Sequence, residues 1–219
     1  TALIPEWKDL APNQFIYPGA SGNSSGLGVD SALLTLIEAD NVLVEDCTGH
    51  NLVGFVRLAG SNMTIRRNSF WDRWGDFSYL RPGTISGTTT NIVIEDNEWG
   101  NFIGNTNWRH ADGVQGLTAL DDGPKSPGTI NNVSIRRNVQ WIGTAPVGVF
   151  QTTAAEVPLS SGMGWYSRAV QFVFMQDWPT HDQDIVGCSN WVIEGNVIYI
   201  DTAHAVTFEN RCDSMTVRN

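Results

Sequence analysis

The stretch NWRHADGVQG, residues 107–116, concentrates side chains that can do chemistry. Alternate residues of a strand share one side, so His110 and Asp112 are expected to be neighbours there. Asp121 or Asp122 supplies a second carboxylate shortly after this stretch. Two titratable groups that flank a bond can carry acid–base catalysis, and a histidine beside a carboxylate is poised near neutral pH. The catalytic candidates are therefore His110, Asp112, Arg109 and Asp122.

The same stretch also has a purely structural interpretation. Asp-Gly pairs are common in turns and bulges, so Asp112-Gly113 could do no more than open a strand. The residues from Gly113 to Gln115 read as part of that strand. The sequence leaves both interpretations open.

Aromatic residues are unusually frequent near these groups. The chain has nine tryptophans, and flat rings pack well against the CH faces of sugars. The alternative for each ring is that it fastens its own loop to the body of the protein. The candidates for sugar binding are Trp108, Trp74, Arg73, Gln115, Trp165 and Trp178.

An acidic cluster lies in and before the stretch HDQD, residues 181–184. Asp177, Asp182 and Asp184 could supply oxygen ligands for calcium, although no twelve-residue EF-hand pattern is present. The alternative is a solvated acidic loop. Calcium is thus a possible cofactor, and the sequence indicates no other.

The overall charge restricts the classes of partner that the protein is expected to bind. A net charge of −10 is unfavourable for binding nucleic acid or anionic membranes, and a neutral glycan fits it better. No run of about 18 apolar residues could span a membrane, and the first residues lack the pattern of a signal peptide. An extracellular or virion-surface location is the expectation.

A short motif recurs along the chain and decides the predicted fold. Its copies alternate apolar and polar residues, which is typical of a strand with one buried face. Successive copies are separated by 21, 29, 41, 58 and 24 residues, so the strand recurs while the connections vary. This favours a solenoid with loops of unequal length. The copies are NVLVEDC from Asn41, NMTIRRN from Asn62, NIVIEDN from Asn91, NVSIRRN from Asn132, NWVIEGN from Asn190 and SMTVRN from Ser214.

Polar residues repeat at the end of each copy. An asparagine column follows the strand, with Cys47 as its one departure, and stacked amides can hydrogen-bond from coil to coil. The preceding charges alternate in sign, so stacked neighbours would attract each other. They are predicted to form structural ladders and are excluded as catalysts. The column is Asn68, Asn97, Asn138 and Asn196; the charges are Glu45, Arg66, Glu95, Arg136, Glu194 and Arg218, then Asp46, Arg67, Asp96 and Arg137.

The asparagine column and the recurring strands resemble right-handed parallel β-helices of the pectate-lyase-like superfamily over residues 31–219. The resemblance implies an all-β solenoid with an asparagine ladder. It also implies a groove that is lined by long loops. The Asp-Gly of residues 112–113 is similar to motifs in polygalacturonases and several polysaccharide lyases. The Gly-His-Gly and Arg-Ile-Lys motifs of polygalacturonases are missing. A lyase would use Arg109, Arg73 or Arg168 as its base, usually with calcium.

Further strands complete each coil. A second strand is expected in residues 53–60, 112–117, 147–152 and 204–209, without a clear inward and outward parity. A third strand is expected in ALLTLI, residues 32–37. Three insertions, residues 69–90, 100–130 and 142–187, would form the walls of the groove.

The chain is expected to be one domain, with residues 1–30 as a lead-in or cap and residues 31–219 as coils. The last copy stops where its turn should begin, so a continued chain or another subunit is expected to cover it. Acidic, tryptophan-rich β-helices resemble phage tail proteins, which are commonly trimers. A homotrimer would bury the outward positions Leu43, Val93 and Val192. Cys188 and Cys212 lie one coil apart, as a disulfide or as two stacked thiols.

The sequence therefore predicts a β-helix that recognises a polysaccharide and cleaves it as a hydrolase or lyase. The alternative is a glycan-binding or structural β-helix without catalysis, such as a phage tail or cell-surface adhesin segment. Acid–base residues beside sugar-binding rings favour the enzyme.

Overall fold

The computed structural model describes residues 32–50, 54–71, 76–82, 87–100, 112–118, 128–141, 171–176, 187–199, 205–208 and 212–219. Within these ranges the chain forms strands and turns and contains no helix, so the all-β prediction is confirmed. The strands are β1 (Ala32–Glu45), β2 (Thr48–His50), β3 (Gly54–Arg66), β4 (Ser69–Trp71), β5 (Ser78–Leu80), β6 (Thr88–Glu95), β7 (Glu98–Gly100), β8 (Val114–Leu117), β9 (Thr129–Arg136), β10 (Val139–Trp141), β11 (Val173–Gln176), β12 (Cys188–Glu194), β13 (Val197–Tyr199), β14 (Val206–Phe208) and β15 (Cys212–Arg218).

All strand pairs are parallel, and they stack on three faces. Face 1 contains residues 40–45 of β1, residues 61–66 of β3, and then β6, β9, β12 and β15. Face 2 contains β2, β4, β7, β10 and β13. Face 3 contains residues 32–37 of β1, residues 54–59 of β3, and then β5, β8, β11 and β14. The chain thus winds from face to face as a parallel, solenoid-like stack of coils.

Face 1 confirms the repeat that the sequence predicts. Its inward positions are in register from Val42 through Met63 and Ile92 to Val133, and then to Trp191 and Met215. Met63 and Ile92 are fully buried, as alternation of apolar residues requires. The unequal spacing between copies therefore leaves the register intact.

The first asparagine of most copies has a structural reason. Asn41, Asn62, Asn91, Asn132 and Asn190 all have left-handed backbone conformation, with φ between 55° and 59°. Asparagine tolerates this conformation better than most residues with a side chain. Hydrogen bonds between side-chain amides also join these asparagines, such as the one from Asn91 Nδ2 to Asn62 Oδ1 at 3.0 Å. The chain therefore turns into face 1 at the same point of each coil.

The asparagine ladder is confirmed in the turns from face 1 to face 2. Asn97 Oδ1 accepts hydrogen bonds from the backbone N–H of Asn68 at 3.0 Å and from Asn68 Nδ2 at 2.9 Å. Asn97 Nδ2 in turn donates to Asn138 Oδ1 at 3.0 Å and to the carbonyl of Ile65 at 2.9 Å. Asn68, Asn97 and Asn138 are at most 1% exposed. Each amide thus satisfies backbone groups that no strand could pair.

Charge ladders lie beside the asparagines, as predicted. Arg67 donates to Asp46 through Nε and Nη2, both at 2.8 Å, and Arg137 binds Asp96 in the same way. Further ion pairs join Arg66 to Glu45 at 2.8 Å, Arg136 to Glu95 at 2.7 Å and Arg218 to Glu194 at 2.7 Å.

These ion pairs change the pKa values of their carboxyl groups. The hydrogen bonds from Arg66 and then Arg67 hold the pKa of Glu45 below its usual value. Burial opposes ionisation of Glu95, but its hydrogen bonds from Arg136 and Arg137 together outweigh this and its pKa is lowered too. Glu45 and Glu95 therefore stay ionised to lower pH than free glutamate side chains.

Aromatic rings stack inside the coils. Phe55 lies 5.2 Å from Phe77, Phe77 lies 4.3 Å from Trp99, and Trp99 lies 5.5 Å from Phe172, measured between ring centroids. Interplanar angles of 13° or less make the four rings nearly parallel. Trp191 belongs to the same core and meets Phe208 edge to face. The core thus runs along the stack as a continuous column.

Two strand predictions were wrong. ALLTLI pairs directly with residues 54–59, so it belongs to face 3 and is no separate third strand. The remaining strand of each coil is instead a three-residue strand of face 2, directly after the asparagine column. The face 3 partner of β8 is Val173–Gln176 rather than residues 147–152, which lie outside the described residues.

Cys188 and Cys212 form a disulfide, with their Cα atoms 4.6 Å apart.

Candidate functional site

The connections between strands are distributed unevenly around the stack. Every turn from face 1 to face 2 has two residues, as in 46–47 and 137–138. The connections from face 2 to face 3 grow from 51–53 through 72–77 and 101–113 to 142–172. Those from face 3 to face 1 reach 118–128 and 177–187. All long connections therefore begin or end at one of the two edges of face 3.

Face 3 presents a central outward side chain in each coil. Arg57, Tyr79, Gln115, Phe174 and Thr207 are in register from β3 to β14. The residues on either side of each position point inward, since Val56, Leu58, Val114 and Met175 are at most 1% exposed. The burial shows which side chains of face 3 point outward: Gln115 points outward, whereas Val56 and Phe208 point inward. We call Arg57, Tyr79, Gln115, Phe174 and Thr207 the outward row.

Within the outward row, Tyr79 is held by a neighbouring arginine. The Arg81 guanidinium lies over the Tyr79 ring, 4.6 Å from its centroid, and Arg81 Nη2 donates to Tyr79 Oη at 3.0 Å. Arg81 itself is only 5% exposed. The contact fixes the ring and makes the phenol oxygen a hydrogen-bond acceptor towards the protein.

Asp112 lies in the interior and not on the outward row. It is 0% exposed, and its Oδ1 accepts a hydrogen bond from the backbone N–H of Gln171 at 2.9 Å. Its own backbone N–H donates to Asp76 Oδ1 at 2.7 Å. Asp76, Asp112 and Gln171 occupy the same position in three successive coils. We call Asp76 and Asp112 the carboxylate ladder, because each holds the backbone of the next coil through its Oδ1 atom.

Gly113 is explained by the same environment. A Cβ atom at this position would lie 2.6 Å from the carbonyl oxygen of Phe172 and 2.8 Å from Trp99 Cζ2. The missing side chain lets Trp99 occupy the place that phenylalanine fills in neighbouring coils, and Trp99 Nε1 donates to Gln140 Oε1 at 2.6 Å. Asp112-Gly113 thus has a structural role. This agrees in part with the purely structural interpretation, in which the pair opens a strand.

Most of the predicted site residues are not among those whose structure is described. Asp112 is buried and Gln115 is outward, as stated above. The remaining candidates stay predictions, and among the described residues no group of three or more His, Cys, Asp or Glu side chains could hold a metal ion. Outside the described residues lie His110, Arg109, Asp122, Trp108, Trp74, Arg73, Trp165, Trp178, Asp177, Asp182 and Asp184.

Arg57, Arg81 and Phe174 were not predicted from the sequence. A second repeat would have revealed them: GFVRLAG, DFSYLRP, DGVQGLT and QFVFMQD align on face 3 without gaps. The fourth residue of each copy is its member of the outward row. The repeat is hard to see because the outward residues differ and because Gly113 replaces the aromatic second residue.

Comparisons with protein-family models, with curated proteins and with solved structures gave no significant match. Within the described part of the chain, no helix has the length and apolar character that crossing a membrane requires.

Proposed function

We propose that the protein binds a polysaccharide along face 3, with the sugar chain running in the stacking direction. One observation carries the proposal: the long connections begin and end at the two edges of face 3, while the outward row offers one side chain per coil. Neighbouring coils are about 4.8 Å apart, so the row presents its groups at a regular interval. A linear polymer of similar units matches such a row.

The chemistry of the outward row supports a sugar ligand. Tyr79 offers ring surface for the CH faces of sugars, and Arg57 and Gln115 offer hydrogen-bond donors for hydroxyl groups, whereas Phe174 is only 7% exposed. Aromatic surface combined with a few polar groups is typical of carbohydrate sites. Face 1 differs, because its charged and amide side chains largely bind each other.

We also propose that the stack is a right-handed parallel β-helix of the pectate-lyase-like kind. The asparagine ladder supports this, and crossovers between parallel strands are almost always right-handed. An extracellular or virion-surface location is proposed with it, since the disulfide between Cys188 and Cys212 favours an oxidising compartment. A homotrimer remains part of this proposal.

Binding is tested with a panel of oligosaccharides and isothermal titration calorimetry. Tyr79→Ala and Gln115→Ala should each weaken binding of the best ligand about tenfold, because each removes one contact of the row. Ser134→Ala on face 1 is the matched control and should bind like the parent protein. If the parent protein binds no glycan of the panel, or if all three variants bind equally, the proposed function is wrong.

Cleavage of the bound glycan is a second proposal. Arg109, His110 and Asp122 are the candidates, since the described outward row contains no carboxylate and no histidine. The burial of Asp112 favours the alternative, a protein that binds glycans without cleaving them. New reducing ends would indicate a hydrolase, and absorbance of an unsaturated product would indicate a lyase. Neither signal with a glycan that binds would establish the alternative.

A further inference from the structure

Two asparagines at the edge of face 1 begin a triplet that marks an acceptor for N-linked glycosylation. NMT from Asn62 and NVS from Asn132 both consist of asparagine, a residue other than proline, and then serine or threonine. A third such triplet begins at Asn23, outside the described residues. The two described triplets occupy the same position of their coils, where the chain turns into face 1.

The stack requires the asparagines of these triplets but not their hydroxyl groups. The left-handed backbone at the first position accounts for asparagine in five coils. The third position points outward in the middle of face 1, and other coils fill it with Leu43, Val93 and Val192. Thr64 and Ser134 therefore complete the triplets at a position where the fold also accepts apolar residues.

The amide of Asn62 is accessible, unlike those of the asparagine ladder. Asn62 is exposed, whereas Asn97 is 1% exposed. The Nδ2 atom of Asn97 uses both of its hydrogens, on Asn138 Oδ1 and on the carbonyl of Ile65. Asn62 Nδ2 donates to Asn41 Oδ1 at 3.3 Å. An amide nitrogen that carries a sugar keeps one hydrogen, so this bond can persist after modification.

Asn132 is exposed as well and can accommodate the same change. Its Nδ2 donates to Thr90 Oγ1 at 3.2 Å and to Asn91 Oδ1 at 3.3 Å, so a sugar displaces one of these bonds. Both bonds lie at the exposed surface, where water replaces the lost partner at little cost. The coil between the two sites has Val93 in the third position, so the modified asparagines stand two coils, or roughly 10 Å, apart.

We propose that Asn62 and Asn132 are modified with N-linked glycans. In this reaction Nδ2 forms a bond to the anomeric carbon of an oligosaccharide, and the bond from that carbon to a polyprenyl diphosphate carrier breaks. The amide loses one proton, the polyprenyl diphosphate leaves, and an oligosaccharyltransferase catalyses the transfer. The disulfide between Cys188 and Cys212 supports the proposal, because disulfides form in the endoplasmic reticulum, where this transfer takes place.

Glycans at these two sites would shield face 1. Leu43 is 50% exposed, and Val93 and Val192 lie in the same row of outward residues. Apolar residues on an exposed sheet favour association with another copy, whereas bulky hydrophilic glycans oppose it. The homotrimer proposed above would therefore form through other surfaces. This role of face 1 goes beyond the function proposed for face 3 and does not depend on it.

The modification is tested by secreting the protein from cultured eukaryotic cells and mapping its glycans by peptide mass spectrometry. Peptide-N-glycosidase converts each glycosylated asparagine to aspartate, which identifies the sites and separates them from Asn23. We expect this conversion at Asn62 and at Asn132. Unmodified asparagine at either position in the secreted protein overturns the assignment of that site.

Substitutions at the third position connect each glycan to its triplet. Thr64→Val and Ser134→Val introduce the residue that Val93 provides in the coil between them, and they leave both asparagines intact. Each should remove the glycan of its own coil and keep the other, with an unchanged circular dichroism spectrum. Asn91→Gln, at an exposed asparagine that begins no triplet, is the control and should keep both glycans. A glycan that persists on Asn62 in Thr64→Val contradicts the proposal.

The shielding of face 1 is tested with the same chain made in a bacterial periplasm, which forms disulfides but attaches no such glycan. Light scattering of concentrated samples should show more association for this unmodified chain than for the secreted protein. Equal association overturns the shielding role, while the modification itself stands.

Discussion

Faces 1 and 3 belong to the same coils but use their polar side chains in opposite ways. Face 1 repeats asparagines and alternating charges, and these groups bind each other from coil to coil. Face 3 changes its outward residue at every coil, from Arg57 to Tyr79, Gln115 and Phe174. The repeated polar residues of face 1 thus have their partners within the stack. The outward residues of face 3 follow no such repeat, so the stack itself does not require them.

The two faces also have ladders of different chemistry. Amides on the face 1 side can donate and accept at once, so each links both of its neighbours. On the face 3 side, Asp112 Oδ1 accepts one hydrogen bond, from the backbone N–H of Gln171. The asparagine ladder is therefore expected to contribute more to stability than the carboxylate ladder.

The largest effect is expected for Asn97→Ala. It removes the acceptor for Asn68 and the donor for the Ile65 carbonyl in a fully buried place. We expect the free energy of unfolding to fall by about 3–5 kcal/mol, measured by urea denaturation. Ser134→Ala is the control, with a change under about 0.5 kcal/mol. A loss below about 1 kcal/mol in Asn97→Ala would show that the ladder matters little.

The second prediction concerns Asp112, where two substitutions separate a structural role from a catalytic one. Asp112→Ala leaves the Gln171 N–H without its acceptor and should cost about 1–3 kcal/mol of unfolding free energy. Asp112→Asn keeps an acceptor oxygen and should cost less than about 1 kcal/mol. If a cleaved glycan is found, Asp112→Asn should also keep most of the activity. Loss of cleavage in a stable Asp112→Asn protein would restore Asp112 as a catalyst.

Acid should weaken face 1. The pKa values of Glu45, Asp46, Glu95 and Asp96 are lowered in the folded protein, so their stabilisation is complete above their unfolded values, near pH 4. It is lost as the pH falls through the lower folded values. The unfolding temperature should therefore drop below about pH 4, and Glu95→Gln should flatten that drop. An unchanged profile in Glu95→Gln would remove the charge ladder from the explanation.

The smallest effect is expected for Cys47→Asn, which would extend the asparagine ladder by one coil. The backbone N–H of Cys47 already donates to Asn68 Oδ1 at 3.0 Å, so the new amide meets a prepared neighbour. The free energy of unfolding should rise by only about 0.5–1 kcal/mol, because a hydrogen bond at this exposed position contributes little. Cys47→Ser, which has no amide, should show no such gain.

Face 1 could be predicted from the sequence because all its strands follow one motif, and each copy stacks on copies with the same pattern. Alternation of Val42 and Val44, the asparagine column and the alternating charges each point to the same stack. Face 3 was harder because its strands are fixed by contacts between distant residues. Asp112 binds the backbone N–H of Gln171, which lies 59 residues later in the chain, and β8 pairs with Val173–Gln176 across the same separation.

The unequal spacing of the ladder has a consequence for how the chain folds. Asn68 meets Cys47 across 21 residues, whereas Asn196 meets Asn138 across 58. Closure entropy grows with the logarithm of loop length, so the longer connection costs only about 1 kcal/mol more. Lengthening the chain beside face 3 is thus thermodynamically cheap, provided that each coil returns to its register. A scaffold of this kind can acquire new loops with little change in stability, which makes face 3 the place to graft or exchange them.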